Sequence, residues 1–545
     1  MNKGELILFC FAELIEKKIQ QTPNGGICRI PKGEYYIERN INITDRKNII
    51  VDGNGSVIVS HYNNGNGDKP TSDVFHIIGC KGIKICNFVL ETDTPVNITG
   101  TVKSVNRDEN SYVLSVLPEF KVTGKEILMV QNSCDSDGSF DGKLEYYCPN
   151  PDKKPTFLAG EILLANTHIS CKYDYLGDNC FKIYLPVGKI NGIEENQAIC
   201  VRHSSYGPVS ILIKNSDDTA IENVTIYSAG GMGIIVLPRS ENLSLKNFNM
   251  VLPENSKRFM SGNCDGIHIT GLCGKLTMKN CDFSGLGDDA LNIHSTAATV
   301  TGLDSENGTL KCNYCKKGPD GILSPDWCRK GDIITVLDSV DCTKLGQIMV
   351  KTFHKDKLEF EMLSGKIQVG NVLQNTEFSA AVEIDSCTVK NTRARGFLFQ
   401  TENISVKGCS FFGISSSAVL AAPDVRLWYE VGPIKNMQIA NNIFKKCAFA
   451  GNEAESSIIT VKNSHGRIDK ISFGVHNDIC VSGNTFCNKK GKCISVLSCD
   501  NFNVENNHFE NCMLTDKNDA IETNKCRSIV IQNNKFKSYG EKSRG

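Results

Sequence analysis

Short runs in which apolar and polar residues alternate recur along most of the chain, each closed by a turn rich in Gly, Asn or Ser. Residues 25–37 alternate around Pro31-Lys32-Gly33, and residues 48–59 around Asp52-Gly53-Asn54-Gly55. Alternation of period two broken by such turns predicts strand, turn, strand. From Ile83 the pattern becomes a repeat of a short β-rich run, an Asn, an aromatic and a Gly/Ser-rich turn. It can be read at residues 83–88, 221–224, 243–248, 276–283, 404–411, 437–444, 479–486, 502–509 and 529–536. The phenylalanines that close the last units, Phe444, Phe486, Phe509 and Phe536, are unevenly spaced, so the unit is a coil of variable length. Repeats of this size mean stacked architectures. No apolar spacing of 3.6 residues runs for a useful length, and a recurring Asn suits a buried ladder of amides bonded to their copies above and below. The pattern predicts an all-β chain folded as a right-handed parallel β-helix. A β-propeller is the competing architecture, but its blades need four strands per unit.

The rhythm lapses twice. Residues 1–98 read as an N-terminal cap and the first coils, 201–296 as further coils, and 381–545 as the C-terminal coils. Between them, residues 99–200 and 297–380 lose the repeat and show barrel-like alternation, as in residues 331–338, so each reads as an inserted small β-barrel-like domain. Long insertions gather where function is.

The second lapse begins just after the densest group of acids. Asp265-Gly-Ile-His-Ile269 falls over Asp289-Ala-Leu-Asn-Ile293 when the two apolar cores are aligned, and Asp288 precedes the second copy. Parallel strands on consecutive coils lie about 4.8 Å apart, which makes Asp265, Asp288 and Asp289 neighbours. Clustered carboxylates repel and need cations, protons or a metal to hold them. In the same register Ile267, Ile269, Leu291 and Ile293 point into the core, while His268, Asn292 and His294 point outward. One coil further, Arg395-Gly-Phe-Leu-Phe-Gln400 lies over residues 289–294, setting Arg395 beside Asp289 and Gln400 beside His294. Trp428-Tyr-Glu430 adds an aromatic face and a carboxylate. Convergent carboxylates beside a polar, aromatic-edged groove are the equipment of glycoside hydrolysis, one acid protonating the leaving oxygen and another activating water.

Each of these residues has a plainer use. Asp265 and Asp289 precede small residues and can serve as turn caps; His268 and His294 can be ordinary outward polar residues; Arg395 can simply balance buried acids. Trp428 can pack under a loop or stack on sugar, and Glu430 can be a general acid, a hydroxyl ligand or a surface charge.

Composition narrows the setting. With 60 Lys+Arg against 61 Asp+Glu, a net charge of −1 offers no bulk attraction for nucleic acid or an anionic membrane. The 25 cysteines, an odd count in a long chain, recur in contexts such as Asn280-Cys-Asp-Phe283 and read as packed, reduced thiols. Cys312 and Cys315 form a Cys-x-x-Cys with no second pair at zinc spacing. The apolar run at residues 6–11 is short and bracketed by Glu5 and Glu13, which suggests an amphipathic helix capping the fold, and no segment reaches the roughly 18 apolar residues of a membrane span. A cytoplasmic protein is expected, free to assemble as a homo-oligomer.

The motifs have a family likeness. Asn263-Cys-Asp265 with Gly287-Asp-Asp289 resembles the aspartate set of polygalacturonase-type β-helix hydrolases, although the Gly-His-Gly and Arg-Ile-Lys motifs of that family do not follow. The chain is more similar to the α-1,3-galactosidases of glycoside hydrolase family 110, through Asp265-Gly-Ile-His268, Gly287-Asp-Asp-Ala-Leu-Asn-Ile-His294, Arg393-Ala-Arg-Gly396 with Gln400, and Trp428-Tyr-Glu-Val-Gly-Pro433. It departs from that likeness at Ser295-Thr296, where a glycine is expected, and in a Cys- and Lys-rich stretch at 310–330. The resemblance implies an exo-acting, inverting enzyme that takes terminal α-1,3-linked galactose from an oligosaccharide, without cofactor or metal. It also implies catalysis by Asp265, Asp288 and Asp289 and sugar binding by His268, Asn292, His294, Arg395, Gln400, Trp428 and Glu430. By the polygalacturonase arrangement, Asp288 is the acid and Asp265 with Asp289 hold the water. The rival readings are a polygalacturonase-like hydrolase, a calcium-dependent lyase on the same acids, and a non-catalytic glycan-binding solenoid.

Overall fold

Parallel rungs dominate the structure, a computed structural model. It describes residues 11–65, 72–128, 171–185, 190, 193–196, 198–204, 207–256, 258–314, 327–354, 356–425, 428–449, 457–463, 468–487, 489, 491–512 and 517–537, with two short strands at 146–147 and 157–158. Most of the apolar run at 6–11, and Cys315, lie outside the described residues. The chain forms two compact units, residues 1–131, 163–235 and 245–264 in the first and 132–162, 236–244 and 265–545 in the second. Both are built from coils of a parallel β-helix.

In the first unit Ile50–Ser60 pairs in parallel with Lys84–Thr92, which pairs with Asp217–Ile226. On another face Ile41–Thr44, Phe75–Ile78 and Ile211–Lys214 stack likewise. The helix Phe11–Gln21 buries Ala12, Ile15 and Ile19, one stripe of an amphipathic helix. Within the first lapse of the repeat, Tyr173–Gly177, Cys180–Tyr184, Ser111–Val116, Asn97–Asn106 and Ala198–Arg202 follow one another across an antiparallel sheet.

The second unit holds longer stacks. Ile267–Thr270, Leu291–Asp304, Phe397–Gln400, Val419–Ala421, Ile459–Val461, Ile494–Leu497 and Ile521–Asn524 succeed one another in parallel register. Period-two alternation does the sorting, with Ile267, Ile269, Leu291, Phe397 and Phe399 buried in the core. Phe411, Phe444, Phe486, Phe509 and Phe536 stack ring on ring, with centroids 4.8 to 5.1 Å apart, the spacing that the rungs impose.

The amide ladder is present and longer than the Asn pattern alone suggests. The backbone N–H groups of Asn442, Asn484 and Asn507 each donate to the side-chain oxygen of the next Asn, at Asn484, Asn507 and Asn534, all at 2.9 Å. Upstream the same column is built of thiols: Cys281 N–H donates to Cys387 Sγ and Cys387 N–H to Cys409 Sγ, both at 3.4 Å, and Cys409 N–H to Asn442 Oδ1 at 2.8 Å. Buried backbone donors have to be satisfied, and one side chain per coil does it here. All the described cysteines are free thiols, most of them buried.

The second lapse closes on itself. Leu291–Asp304 pairs with Thr309–Tyr314, that strand with Lys357–Gly365, then Lys344–His354, Ile333–Leu337 and Val372–Asn375, which returns to Leu291–Asp304. This antiparallel barrel is filled by Val300, Leu310, Trp327, Ile334, Val336, Ile348 and Phe360. Leu291–Asp304 is one unbroken 14-residue strand, a β-helix rung at its start and a barrel strand at its end.

Candidate active site

The acids meet where three consecutive rungs begin. Ile267 pairs with Leu291 and Leu291 with Phe397, so Asp265, Asp289 and Arg395 occupy equivalent positions two residues before the strand. Each acid reaches to the coil above: Asp289 N–H donates to Asp265 Oδ1 at 3.1 Å, and Arg395 N–H to Asp289 Oδ1 at 3.0 Å. Arg395 Nη2 then donates to Asp289 Oδ2 at 2.6 Å. Asp288, one residue earlier, joins them, its Oδ1 lying 3.3 Å from Arg393 Nη2 and 3.8 Å from Arg395 Nη2. One oxygen from each of Asp265, Asp288 and Asp289 lies within 4.8 Å of the others.

The three differ in access. The Asp288 side chain is 32% exposed, against 8% for Asp265 and 1% for Asp289. Burial pushes the Asp289 carboxyl up to about 8, outweighing the downward pull of the Arg395 charge. The cluster therefore keeps a proton at neutral pH, with Asp288 as its open member.

A chain of hydrogen bonds leads from Asp265 along the outer face of the rungs. Asp265 Oδ2 lies 2.7 Å from His268 Nδ1, His268 Nε2 lies 3.2 Å from His294 Nε2, and His294 Nδ1 lies 3.2 Å from the Ser295 carbonyl. A carbonyl only accepts, so His294 carries its hydrogen on Nδ1 and presents a bare Nε2. His268 must then donate from Nε2, and with Nδ1 donating to Asp265 it is an imidazolium. The electrostatics agree. Burial disfavours charge on both rings and lowers His294, but on His268 the Asp265 hydrogen bond and charge outweigh it and lift that ring to about 9.

Glu430 comes from the two-residue strand Glu430–Val431, which pairs antiparallel with Ser295 and Thr296. Gly432 follows at φ 146, and a Cβ there would strike the Gln400 carbonyl, so only glycine lets this strand lie so close. Glu430 Oε2 accepts from Asn292 Nδ2 at 3.2 Å, and Oε1 lies 3.7 Å from His294 Nε2. Burial works to raise its pKa, but His294, His268, Asn292 and Arg395 together hold the carboxyl below its usual range. Asn292 Oδ1, Gln400 Oε1 and Arg395 Nε are buried without a hydrogen-bond partner among the described residues. Orphaned polar atoms along these rungs are what a hydroxyl-rich ligand would satisfy.

His268, Asn292 and His294 face outward, as the alternation predicts, but Asn292 and His294 are buried rather than open to solvent. Trp428 is 41% exposed, so it does not pack under a loop; the other tryptophan, Trp327, is the one in a core. Arg393 belongs to the site and was not among the candidate residues. Its Nε donates to the Gly287 carbonyl while its Nη2 faces Asp288. Extending the register of Arg395 over Asp289 by two residues sets Arg393 over Gly287, and that was the available signal. Asn263 of the Asn-x-Asp motif spends its amide on Asn97 and the Val96 carbonyl, all within the first unit.

Two trios have metal-ligand chemistry, Asp265 with Asp288 and Asp289, and His268 with His294 and Glu430. In the first, the carboxylate oxygens are already engaged by Arg393, Arg395, His268 and backbone N–H groups. An ion would have to displace a guanidinium, so the acids are balanced by protein cations instead.

Fold and site together define a parallel β-helix protein with a buried acid–arginine cluster on its rungs. Proteins similar to it include α-1,3-galactosidases. The chain is similar to α-1,3-galactosidase B of Bacteroides thetaiotaomicron, at 24% identity over 508 residues, covering 90% of this chain and 78% of that protein. It is 25% identical over 531 residues to α-1,3-galactosidase A of the same organism, covering 90% and 83%. To α-1,3-galactosidase A of Shewanella woodyi it is 24% identical over 478 residues, covering 83% and 73%. Among solved structures, the family 28 exopolygalacturonase of Yersinia enterocolitica aligns at 10% identity and a TM-score of 0.39, covering 95% of this chain and 74% of that one. No family model matches the chain.

Proposed function

We propose that the protein is an exo-acting glycoside hydrolase that removes terminal α-1,3-linked galactose with inversion of configuration. The observation that carries this is the meeting of Asp265, Asp288 and Asp289 within 4.8 Å, with Asp288 the accessible member, in a chain that resembles α-1,3-galactosidases over most of its length.

A general acid must reach the leaving oxygen, and Asp288 has the exposure for it. The buried proton that Asp289 retains is the reserve from which Asp288 is recharged. Asp265 and Asp289, held by backbone N–H groups, His268 and Arg395, position the attacking water, and Asp265 takes its proton while the proton on Asp289 passes to Asp288. Attack opposite to the leaving group turns the α-linked sugar into β-galactose. Asn292 Oδ1 and Gln400 Oε1 accept from sugar hydroxyls, Arg395 Nε donates to one, and Trp428 offers a face to the apolar side of the ring. The strand Glu430–Val431 covers the outer end of His294, which favours a pocket for a chain end over an open groove.

A proton-NMR time course on α-1,3-galactobiose tests class and stereochemistry together. The expected first product is β-galactose, with the α-anomer appearing later by mutarotation. The α-anomer first would overturn inversion, no cleavage would overturn the galactosidase reading, and an unsaturated, ultraviolet-absorbing product would make the protein a lyase.

A further inference from the structure

The two imidazoles at this site are arranged as ligands are. His268 Nε2 and His294 Nε2 face each other at 3.2 Å, and Glu430 Oε1 lies 3.7 Å from the latter. Ligand nitrogens at 2.0–2.1 Å from a tetrahedral zinc stand about 3.3 Å apart, so the imidazole pair already has the bite of one ion. The far side of each ring is anchored as metal-binding imidazoles usually are, by a carboxylate or a carbonyl that fixes tautomer and orientation. Asp265 holds His268 Nδ1 at 2.7 Å, and the Ser295 carbonyl holds His294 Nδ1 at 3.2 Å. Glu430 is steadied through its other oxygen by Asn292, whose own Oδ1 is buried without a partner beside the trio.

We propose that His268, His294 and Glu430 form a binding site for a divalent transition-metal ion of the zinc class. Two nitrogens and one carboxylate select zinc, cobalt, nickel or copper over magnesium and calcium, which take oxygen ligands. The ion replaces the hydrogen shared by the two Nε2 atoms and sits to one side of the line between them. Imidazole binds a metal only through a bare nitrogen, so binding releases a proton and tightens as pH rises. The site stands on this geometry whether or not the protein is a galactosidase, and its test reads binding rather than turnover.

The full chain is stripped with a chelator and titrated with zinc chloride by calorimetry at neutral pH and at a lower pH, then loaded with cobalt for its absorption spectrum. One ion per chain is expected, bound more tightly at the higher pH, with a tetrahedral cobalt spectrum free of thiolate charge transfer. His268→Ala and His294→Gln should each weaken binding by about 100-fold or more, and Asp265→Asn by about 10- to 100-fold. Zinc should also raise the unfolding temperature of the unaltered protein, a measure that needs no variant to fold. No uptake, undiminished binding in a folded His294→Gln chain, or a thiolate band placing the ion on the cysteines would each overturn the proposal.

Discussion

The guanidinium of Arg395 lies 2.6 Å from the Asp289 carboxylate although 106 residues separate the two in sequence. The chain leaves the rung after His294, builds a whole barrel, and returns in register. Asp289 is buried, and losing a hydrogen bond between a charged group and a buried carboxyl leaves that carboxyl unsatisfied. Arg395→Ala should lower unfolding free energy by about 1–3 kcal/mol, read by urea denaturation at neutral pH, and Arg395→Lys should recover part of it. An unchanged urea midpoint in Arg395→Ala would mean that the pair holds nothing together.

Asp288 and Asp289 are adjacent but should separate cleanly. Asp288→Asn alters a partly exposed side chain, so turnover on an α-galactoside should drop by about 10²–10⁴-fold with the thermal midpoint nearly unmoved. Asp289→Asn breaks the buried pair and should lose both activity and stability. Parent-like rates in the two variants would reject the catalytic assignment.

The His268 ring should titrate near 9 by NMR, and in Asp265→Asn its pKa should fall, because only the charges of Glu430 and Asp289 then remain to oppose burial. The sign follows from linkage. A folded-state pKa raised above the unfolded one contributes stability that is whole below 6.5 and lost as pH climbs through about 9. Asp289, raised from 3.8 to about 8, acts in the same direction over its own range. Stability measured between pH 6.5 and 9 should decline in the parent and decline less in Asp265→Asn; equal slopes would uncouple His268 from Asp265.

In the amide column, Asn484 accepts from the backbone and side chain of Asn442 and donates to Asn507 and to the Ile439 carbonyl. Asn484→Ala strands a buried N–H at Asn442, and each such group costs about 1–3 kcal/mol. Its urea midpoint should fall accordingly, while kcat of the folded fraction stays at the parent value, since no site residue is touched. A stable Asn484→Ala chain would make the ladder ornamental.

The rungs were legible because a period of two leaves little freedom. Once Ile267 is set over Leu291, a slip by one residue would turn every core side chain outward, so the places of Asp265, Asp289 and Arg395 follow. Burial of Asn292 and His294 was not legible, because the strand that covers them comes from far along the chain and pairs antiparallel, against the local pattern. The cysteine column was half legible. Cys281, Cys387 and Cys409 were expected to pack as small hydrophobes, and they do, but Cys387 and Cys409 also accept backbone N–H groups, which composition does not reveal. The place of Arg393 was half legible: its motif stood in the sequence, but its contact with Asp288 depends on a guanidinium reaching across from the next coil.

The strand Leu291–Asp304 has a consequence for anyone recombining this protein. It carries Asn292 and His294 at one end, lends Ser295 and Thr296 to the segment bearing Glu430 in the middle, and becomes barrel wall at the other. Rung, cover and barrel are thus splinted by a single rod. A chimera that exchanges the barrel must splice beyond residue 304, or the graft will wrench two pocket side chains out of alignment along with it.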